Sequence, residues 1–174
     1  MPCLGFTVII LLLLPDLRVG SQNVTTHSSA TFNKKMVRVG ISAVEQASSS
    51  IGWAVCGGAI GMAIDRFRQL GIADDFDFEL TVKQTTCNAS DAVGDGLDFM
   101  TGQKVDIVIA PPCKAGARMM AHMSTIYKKP VFIWGYVTDS DFSDEQKYPW
   151  LTSITVNSET MLAVSLVGSE NTLY

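Results

Sequence analysis

The sequence predicts an α/β fold in which a parallel sheet carries helices on both faces. Three observations predict it. From Met36 onward, strand-like and helix-like segments alternate. The run Val105 to Ala110 (VDIVIA) is mostly apolar, as a strand covered on both faces must be. The 174 residues are 47% hydrophobic and 17% charged, which supplies the apolar material for a packed core.

Taken in order, Met36 to Ser42 (MVRVGIS) is β-rich and opens the first strand. A serine-rich loop follows, with Ser48, Ser49 and Ser50. Trp53 to Leu70 reads as a helix with an apolar face at Val55, Ala59, Met62, Ala63 and Phe67. Arg66 and Arg68 near its end suit the helix dipole, and Gly71 stands where a C-terminal cap belongs. Phe78 to Thr85 alternates as a second strand. Ser90 to Met100 is a short helix, with Ser90 or Asp91 as N-cap and Gly102 as its stop. Val105 to Ala110 is the third strand, ended by Pro111 and Pro112. Lys114 to Tyr127 is helical, with Met119, Met120, Met123 and Ile126 on one side. Pro130 to Trp134 is a fourth strand, Gly135 to Pro149 a long polar loop, and Leu151 to Val156 a weak fifth strand. Asn157 or Ser158 caps a last helix running to about Val167. This order is that of a parallel sheet whose ligand-facing loops stand at the carboxyl ends of the strands, here 43–52, 86–89, 111–114 and 135–149. There is no internal repeat and no sign of a second domain.

Residues 1–21 read as a signal peptide. Phe6 to Leu14 (FTVIILLLL) is an apolar run of signal-peptide size, ended by Pro15, although no Lys or Arg precedes it. Cleavage after Ser21 places Val19 and Ser21 at the positions that favour small residues. No apolar run reaches the ~18 residues of a membrane-spanning helix. Residues 22–35 form a polar leader. Export gives meaning to two glycosylation sequons, at Asn23 (Asn23-Val24-Thr25) and Asn88 (Asn88-Ala89-Ser90).

Composition and motifs exclude several classes. A formal net charge of −4 argues against a nucleic-acid-binding domain. Gly57-Gly58-Ala59-Ile60-Gly61 is glycine-rich, but it lacks the G-x-G-x-x-G spacing and lies inside a helix, where amides are already bonded. It reads as a close-packing face, with Gly57 and Gly61 one turn apart against the sheet or a partner helix. No G-x-S-x-G occurs, and the histidines are His27, in the leader, and His122, on a helix edge. No Cys or His spacing fits zinc, and the acidic run from Asp139 to Glu145 lacks the EF-hand register. The chain is therefore read as not an enzyme, with no cofactor and no metal.

Cys87 and Cys113 each fall just past the end of a predicted strand, so both face one sheet edge. If the first strand lies between theirs, the strand ends stand about 10 Å apart, and the loops must curl inward to bring the Cα atoms within the ~6.8 Å of a disulfide. The alternative is a pair of buried thiols; an oxidising compartment favours the disulfide. Cys56 is left over, either buried or bridging to a partner or another chain segment.

VDIVIAPPC (Val105 to Cys113), KKPVFIWGYVTDSDFSD (Lys128 to Asp144), YPWLTSITVNS (Tyr148 to Ser158) and Gly52 to Arg66, with its terminal AIDR, resemble the extracellular ligand-binding region of receptor guanylyl cyclases. Divergent nematode chemosensory cyclases are the members it resembles most. The resemblance covers about Met36 to Val167. It implies part of the first lobe of a type I periplasmic-binding-protein fold, a two-lobed clamshell paired into dimers. It implies a Cys87–Cys113 disulfide and a dimer use for the Gly57/Gly61 face. It also implies a chloride-binding turn, which Ala110-Pro111-Pro112-Cys113 departs from, because Pro112 has no amide hydrogen to offer an anion.

The domain plan expected is therefore a signal peptide (1–21), a leader (22–35), a partial first lobe (36–167) and a tail (168–174) that no longer follows the family. The chain is expected to be the N-terminal part of a receptor, from an incomplete gene model or an alternative transcript. In the whole receptor an extracellular peptide or small molecule would bind in the cleft of a homodimer on the outer face of the plasma membrane, and an inner cyclase would make cyclic GMP. Ser48, Ser49, Ser50, Trp134, Gly135, Tyr136 and Asp139 are the cleft-facing candidates, because they sit on carboxyl-end loops. The rival readings are the ectodomain of a clearance-type or glutamate-type receptor, and a truncated secreted binding or decoy protein.

Overall fold

The computed structural model of the protein describes residues 34–162. The expected signal peptide, the expected leader up to residue 33 with Asn23 and His27, the end of the last predicted helix and the 168–174 tail lie outside the described residues.

A parallel five-stranded sheet runs in the order β2-β1-β3-β4-β5. Its strands are β1 (Lys35–Val44), β2 (Phe76–Thr85), β3 (Ile107–Ile109), β4 (Val131–Ile133) and β5 (Leu151–Ser153). The pairing is uneven. β1 and β2 match over their full length, from Lys35 opposite Phe76 to Val44 opposite Thr85. β3, β4 and β5 are short, and β3 meets β1 only from Val39–Ile107 to Ile41–Ile109. Pro111 and Pro112 follow β3 and Pro130 precedes β4, which trims these strands below the spans their apolar runs predict.

The predicted helix over Trp53–Leu70 is two pieces, α1 (Trp53–Cys56) and α2 (Gly58–Leu70). The junction is Gly57, where a Cβ would stand 2.8 Å from both the Trp53 carbonyl oxygen and its indole ring. The apolar face is corrected as well. Val55 and Met62 are exposed, 45% and 74%, and the packing onto Val39, Ile41 and Ala43 of β1 is made by Trp53 and Ile60. Ala59, Ala63 and Phe67 of the expected face are half-buried, so the face is rotated in part: Val55 and Met62 leave it, and Trp53 and Ile60 join it. Gly57 and Gly61 therefore do not form one flat face against the sheet: Gly57 is filled by Trp53, while Gly58 and Gly61 open to free space. Gly71 caps α2 in the left-handed conformation, φ 63°, as expected.

On the opposite face lie α3 (Ala89–Leu97), a π-helical turn (Asp98–Gly102) and α4 (Lys114–Tyr127). The N-cap of α3 is Asn88, neither Ser90 nor Asp91: its side chain accepts from the Ser90 amide at 3.2 Å. Phe99, Met120, Val108, Val131, Ile133 and Tyr148 pack together here as the larger core. Met120 and Met123 of α4 are buried, but Ile126 is 71% exposed and is corrected to the solvent side. A 3-10 turn (Ser140–Ser143) buries Phe142 against this core. After β5, Asn157 caps a helical first turn over 158–162, its Oδ1 accepting from the Thr160 amide at 2.7 Å.

Candidate functional site

Parallel strands end together, so the loops after β1, β2, β3 and β4 meet along one edge. The loop after β1 closes on itself. The amides of Ala47 and Ser48 donate to the Ile51 carbonyl, each at 2.9 Å, and Ser48 Oγ accepts from the amides of Ser50 (3.2 Å) and Ile51 (3.1 Å). Gly52 ends this loop tight against the backbone, because a Cβ there would lie 2.6 Å from the Glu45 carbonyl oxygen.

The loop after β4 is fastened to the proline turn after β3. Trp134 Nε1 donates to the Ala110 carbonyl at 2.8 Å, and the Tyr136 amide donates to the Pro112 carbonyl at 3.1 Å. Gly135 between them has φ 77°, and its Cβ position falls 2.5 Å from Pro112 Cβ, so only glycine fits. Pro112 thus contributes a carbonyl oxygen at this turn. Tyr136 then reaches across: its hydroxyl donates to Ser48 Oγ at 2.6 Å.

Of the predicted cleft residues, Ser48, Ser50 and Tyr136 share one hydroxyl cluster, and Ser49 stands exposed on the same loop. Trp134, half-buried, and Gly135 hold the loop in place. Asp139 turns to α4, 2.6 Å from Lys114 Nζ and 4.0 Å from Arg118 Nη2. Asp141 takes Arg118 at 3.1 Å and Lys147 at 3.2 Å. The Lys147 ammonium, then the Arg118 guanidinium, hold the Asp141 carboxyl below the usual carboxylate range, and Asp141 raises Lys147 in return. The acidic run therefore straps the 135–149 loop onto α4. Among the described residues no cluster of His, Cys, Asp and Glu is arranged to hold a metal.

Across the end of β1, the loops after β2 and β3 curl together in the Cys87–Cys113 disulfide, Cα atoms 5.4 Å apart. Cys56 is buried, its Sγ 3.9 Å from the Ser50 carbonyl oxygen, and no described cysteine is a free thiol.

Beside the disulfide the edge opens into a groove of about 560 Å³, lined by Glu45, Gln84, Thr85, Thr86, Asp91, Gly94 and Asp95. Buried Ser42 of β1 donates to Asp95 Oδ2 at 2.7 Å, and Thr86 Oγ1 donates to Asp91 Oδ2 at 2.5 Å. The lining carries carboxylates and no basic side chain, so its potential favours cationic or hydrogen-bond-donating groups. Of this set, Glu45 and Thr86 fall in the loops expected from the sequence, 43–52 and 86–89. The signal for the rest is the polar end of β2 at Gln84-Thr85-Thr86, with Asp91, Gly94 and Asp95 one helical turn apart on α3.

Residues 55–167 match the family described as the receptor family ligand binding region. Receptor-type guanylate cyclase gcy-2 of Caenorhabditis elegans is 43% identical over 139 residues, which cover 79% of this chain and 12% of that protein. Receptor-type guanylate cyclase gcy-1 of the same organism is 41% identical over 155 residues, covering 88% of this chain and 14% of the relative. The chain thus spans only 12% and 14% of the length of these relatives. Among solved structures, the branched-chain amino acid transporter substrate binding protein LivJ of Streptococcus pneumoniae superposes with a TM-score of 0.56 at 18% identity, covering 71% of this chain and 34% of that one. That likeness shows the periplasmic-binding-protein-like fold. With the family matched over most of the described sheet, the chain belongs to the receptor ligand-binding-region family, and its relatives over this region are nematode receptor-type guanylate cyclases.

Proposed function

We propose that this chain is the front part of the first lobe of a receptor guanylyl cyclase ectodomain, lying outside the cell, and that its carboxyl-edge loops form one wall of the ligand cleft. The observation that carries this reading is the identity to receptor-type guanylate cyclases, 43% and 41%, on a parallel sheet whose edge presents a groove. In the whole receptor, ligand held between this edge and a second lobe shifts the lobes of a homodimer, and the cyclase domain answers with a change in cyclic GMP. The hydroxyls of Ser48, Ser50 and Tyr136 and the carboxylates of Asp91 and Asp95 are the polar groups this wall offers. They suit a ligand with hydrogen-bond donors or a positive charge.

The test is a chimera in which residues 36–162 replace the aligned segment of gcy-1. Gly94 lines the groove, and a Cβ there meets open space, so Gly94→Trp fills the groove without disturbing the core. The expected result is a chimera that reaches the cell surface and whose cyclic GMP output changes with Gly94→Trp. Normal surface delivery with cyclic GMP output indifferent to that substitution counts against the reading.

A further inference from the structure

We infer that Asn88 carries an N-linked glycan, and that this glycan keeps the groove's rim at the start of α3 out of any subunit contact. The inference rests on the extracellular reading above. It starts from the Asn88-Ala89-Ser90 sequon, which alone is a weak signal. The structure adds geometry. Asn88 is exposed, on the short connection between β2 and α3, next to a cysteine already tied to Cys113. Its amide donates to Thr86 Oγ1 at 3.2 Å, and its Oδ1 accepts from the Ser90 amide. The cap therefore uses Oδ1. The atom that an N-glycan joins is Nδ2, so the modified side chain keeps its capping bond, and the helix start tolerates the sugar.

The chemistry balances with a lipid-linked oligosaccharide diphosphate as donor. A bond forms between Asn88 Nδ2 and the anomeric carbon of the first sugar. The bond from that carbon to the diphosphate breaks, and Nδ2 gives up one proton as the diphosphate leaves. Nδ2 keeps its other hydrogen, and Oδ1 stays an acceptor.

Position gives the glycan its consequence. Asn88 lies between Thr86 and Asp91, both of which line the groove and are joined by a hydrogen bond. A glycan there stands on the groove's rim. A bulky, hydrated chain at that point bars the start of α3 and the carboxyl end of β2 from being buried in a subunit contact. Any pairing face must then lie elsewhere; the open Gly58/Gly61 side of α2 is one such surface.

The experiment expresses residues 1–174 with their own leader in insect cells. It compares the parent, N23Q, and N23Q combined with S90A, before and after peptide N-glycosidase treatment. Site occupancy is read by mass spectrometry as conversion of Asn88 to Asp on enzymatic release. S90A removes the acceptor motif but keeps both capping atoms, because Ser90 contributes its backbone amide to the cap. The expected result is a glycosidase-sensitive shift in N23Q that disappears in N23Q/S90A, with Asn88 converted. N23Q protein that enters the secretory pathway with its Asn88 peptide unmodified overturns the inference and leaves the extracellular reading standing. A chain that stays in the cytosol, unmodified at Asn23 and Asn88 alike, overturns both.

Discussion

The hydroxyl of Tyr136 donates to Ser48 Oγ at 2.6 Å, joining two edge loops whose residues lie 88 apart in the chain. Ser48 already accepts from the amides of Ser50 and Ile51, and the bond adds a long-range tie to a loop also held to α1 by the Ala54 amide on the Glu45 carbonyl. Tyr136→Phe keeps the ring and removes the donor. The expected loss is about 0.5–1.5 kcal/mol of stability in urea denaturation. Hydrogen exchange should rise at the amides of 47–51 and stay unchanged in α4.

The Cys87–Cys113 bridge closes a loop of sequence separation 26. In the chain-entropy account such a loop is worth about 3.5 kcal/mol. Replacing both cysteines by serine should lower the denaturation midpoint by a corresponding amount, at unchanged cooperativity. A double mutant as stable as the parent would refute the estimate.

Glycine substitutions should divide by sign. Gly40 on β1 faces the Phe99 ring, which a Cβ would meet at 2.7 Å. Gly40→Ala should therefore cost about 1–3 kcal/mol through overpacking. Gly61 lies within α2 and meets nothing within 4 Å. Gly61→Ala should stabilise the helix by about 0.5–1 kcal/mol. Thermal melts of the two variants beside the parent check both signs.

Acid should act on Asp98. A hydrogen bond from Lys83, 2.6 Å away, and then one from Gln103 hold its carboxyl below the usual carboxylate range. A folded pKa below the unfolded one means that this contribution is fully present above the unfolded value. It fades as the pH falls through that value and is gone below the folded pKa. Lys83→Met should return the Asp98 titration, followed by carbon-13 carboxyl shifts, toward the ordinary range. It should also flatten the acid limb of the stability curve.

The strongest periodic signals were legible in the sequence. Lys114–Tyr127 is helical over the residues its pattern predicts, Gly71 caps α2, and the two cysteines at strand ends do meet. What sequence could not supply was the choice between equivalent faces. Ala63 and Phe67 of α2 lie on the half-buried side as their spacing predicts, and only the position of β1 decides that Ile60 joins them while Met62 does not. The N-cap of α3 is ambiguous in the sequence because Asn88, Ser90 and Asp91 are all good caps. In the structure Asn88 keeps an extended backbone and its side chain takes the Ser90 amide, directly after the bridged Cys87. At the candidate site, the loops were legible from strand ends, and Ser48 and Tyr136 were among the residues chosen. The groove depends on Glu45 after β1, the end of β2 and α3 converging, and no local pattern encodes that convergence.

Cys113 is the N-cap of α4, and Cys87 immediately precedes the N-cap of α3. The bond between them therefore joins the leading ends of two helices that also pack directly on each other, Gly116 of α4 against Ala92 of α3 and Gly96 of α3 against Met123 of α4. Arg118 of α4 in turn pairs with Asp141 of the 135–149 loop, so the same helix meets the disulfide at its start and the loop along its side. Covalent link and close packing thus act on the same pair of helices, one as a tether of fixed length and the other as a fitted seam.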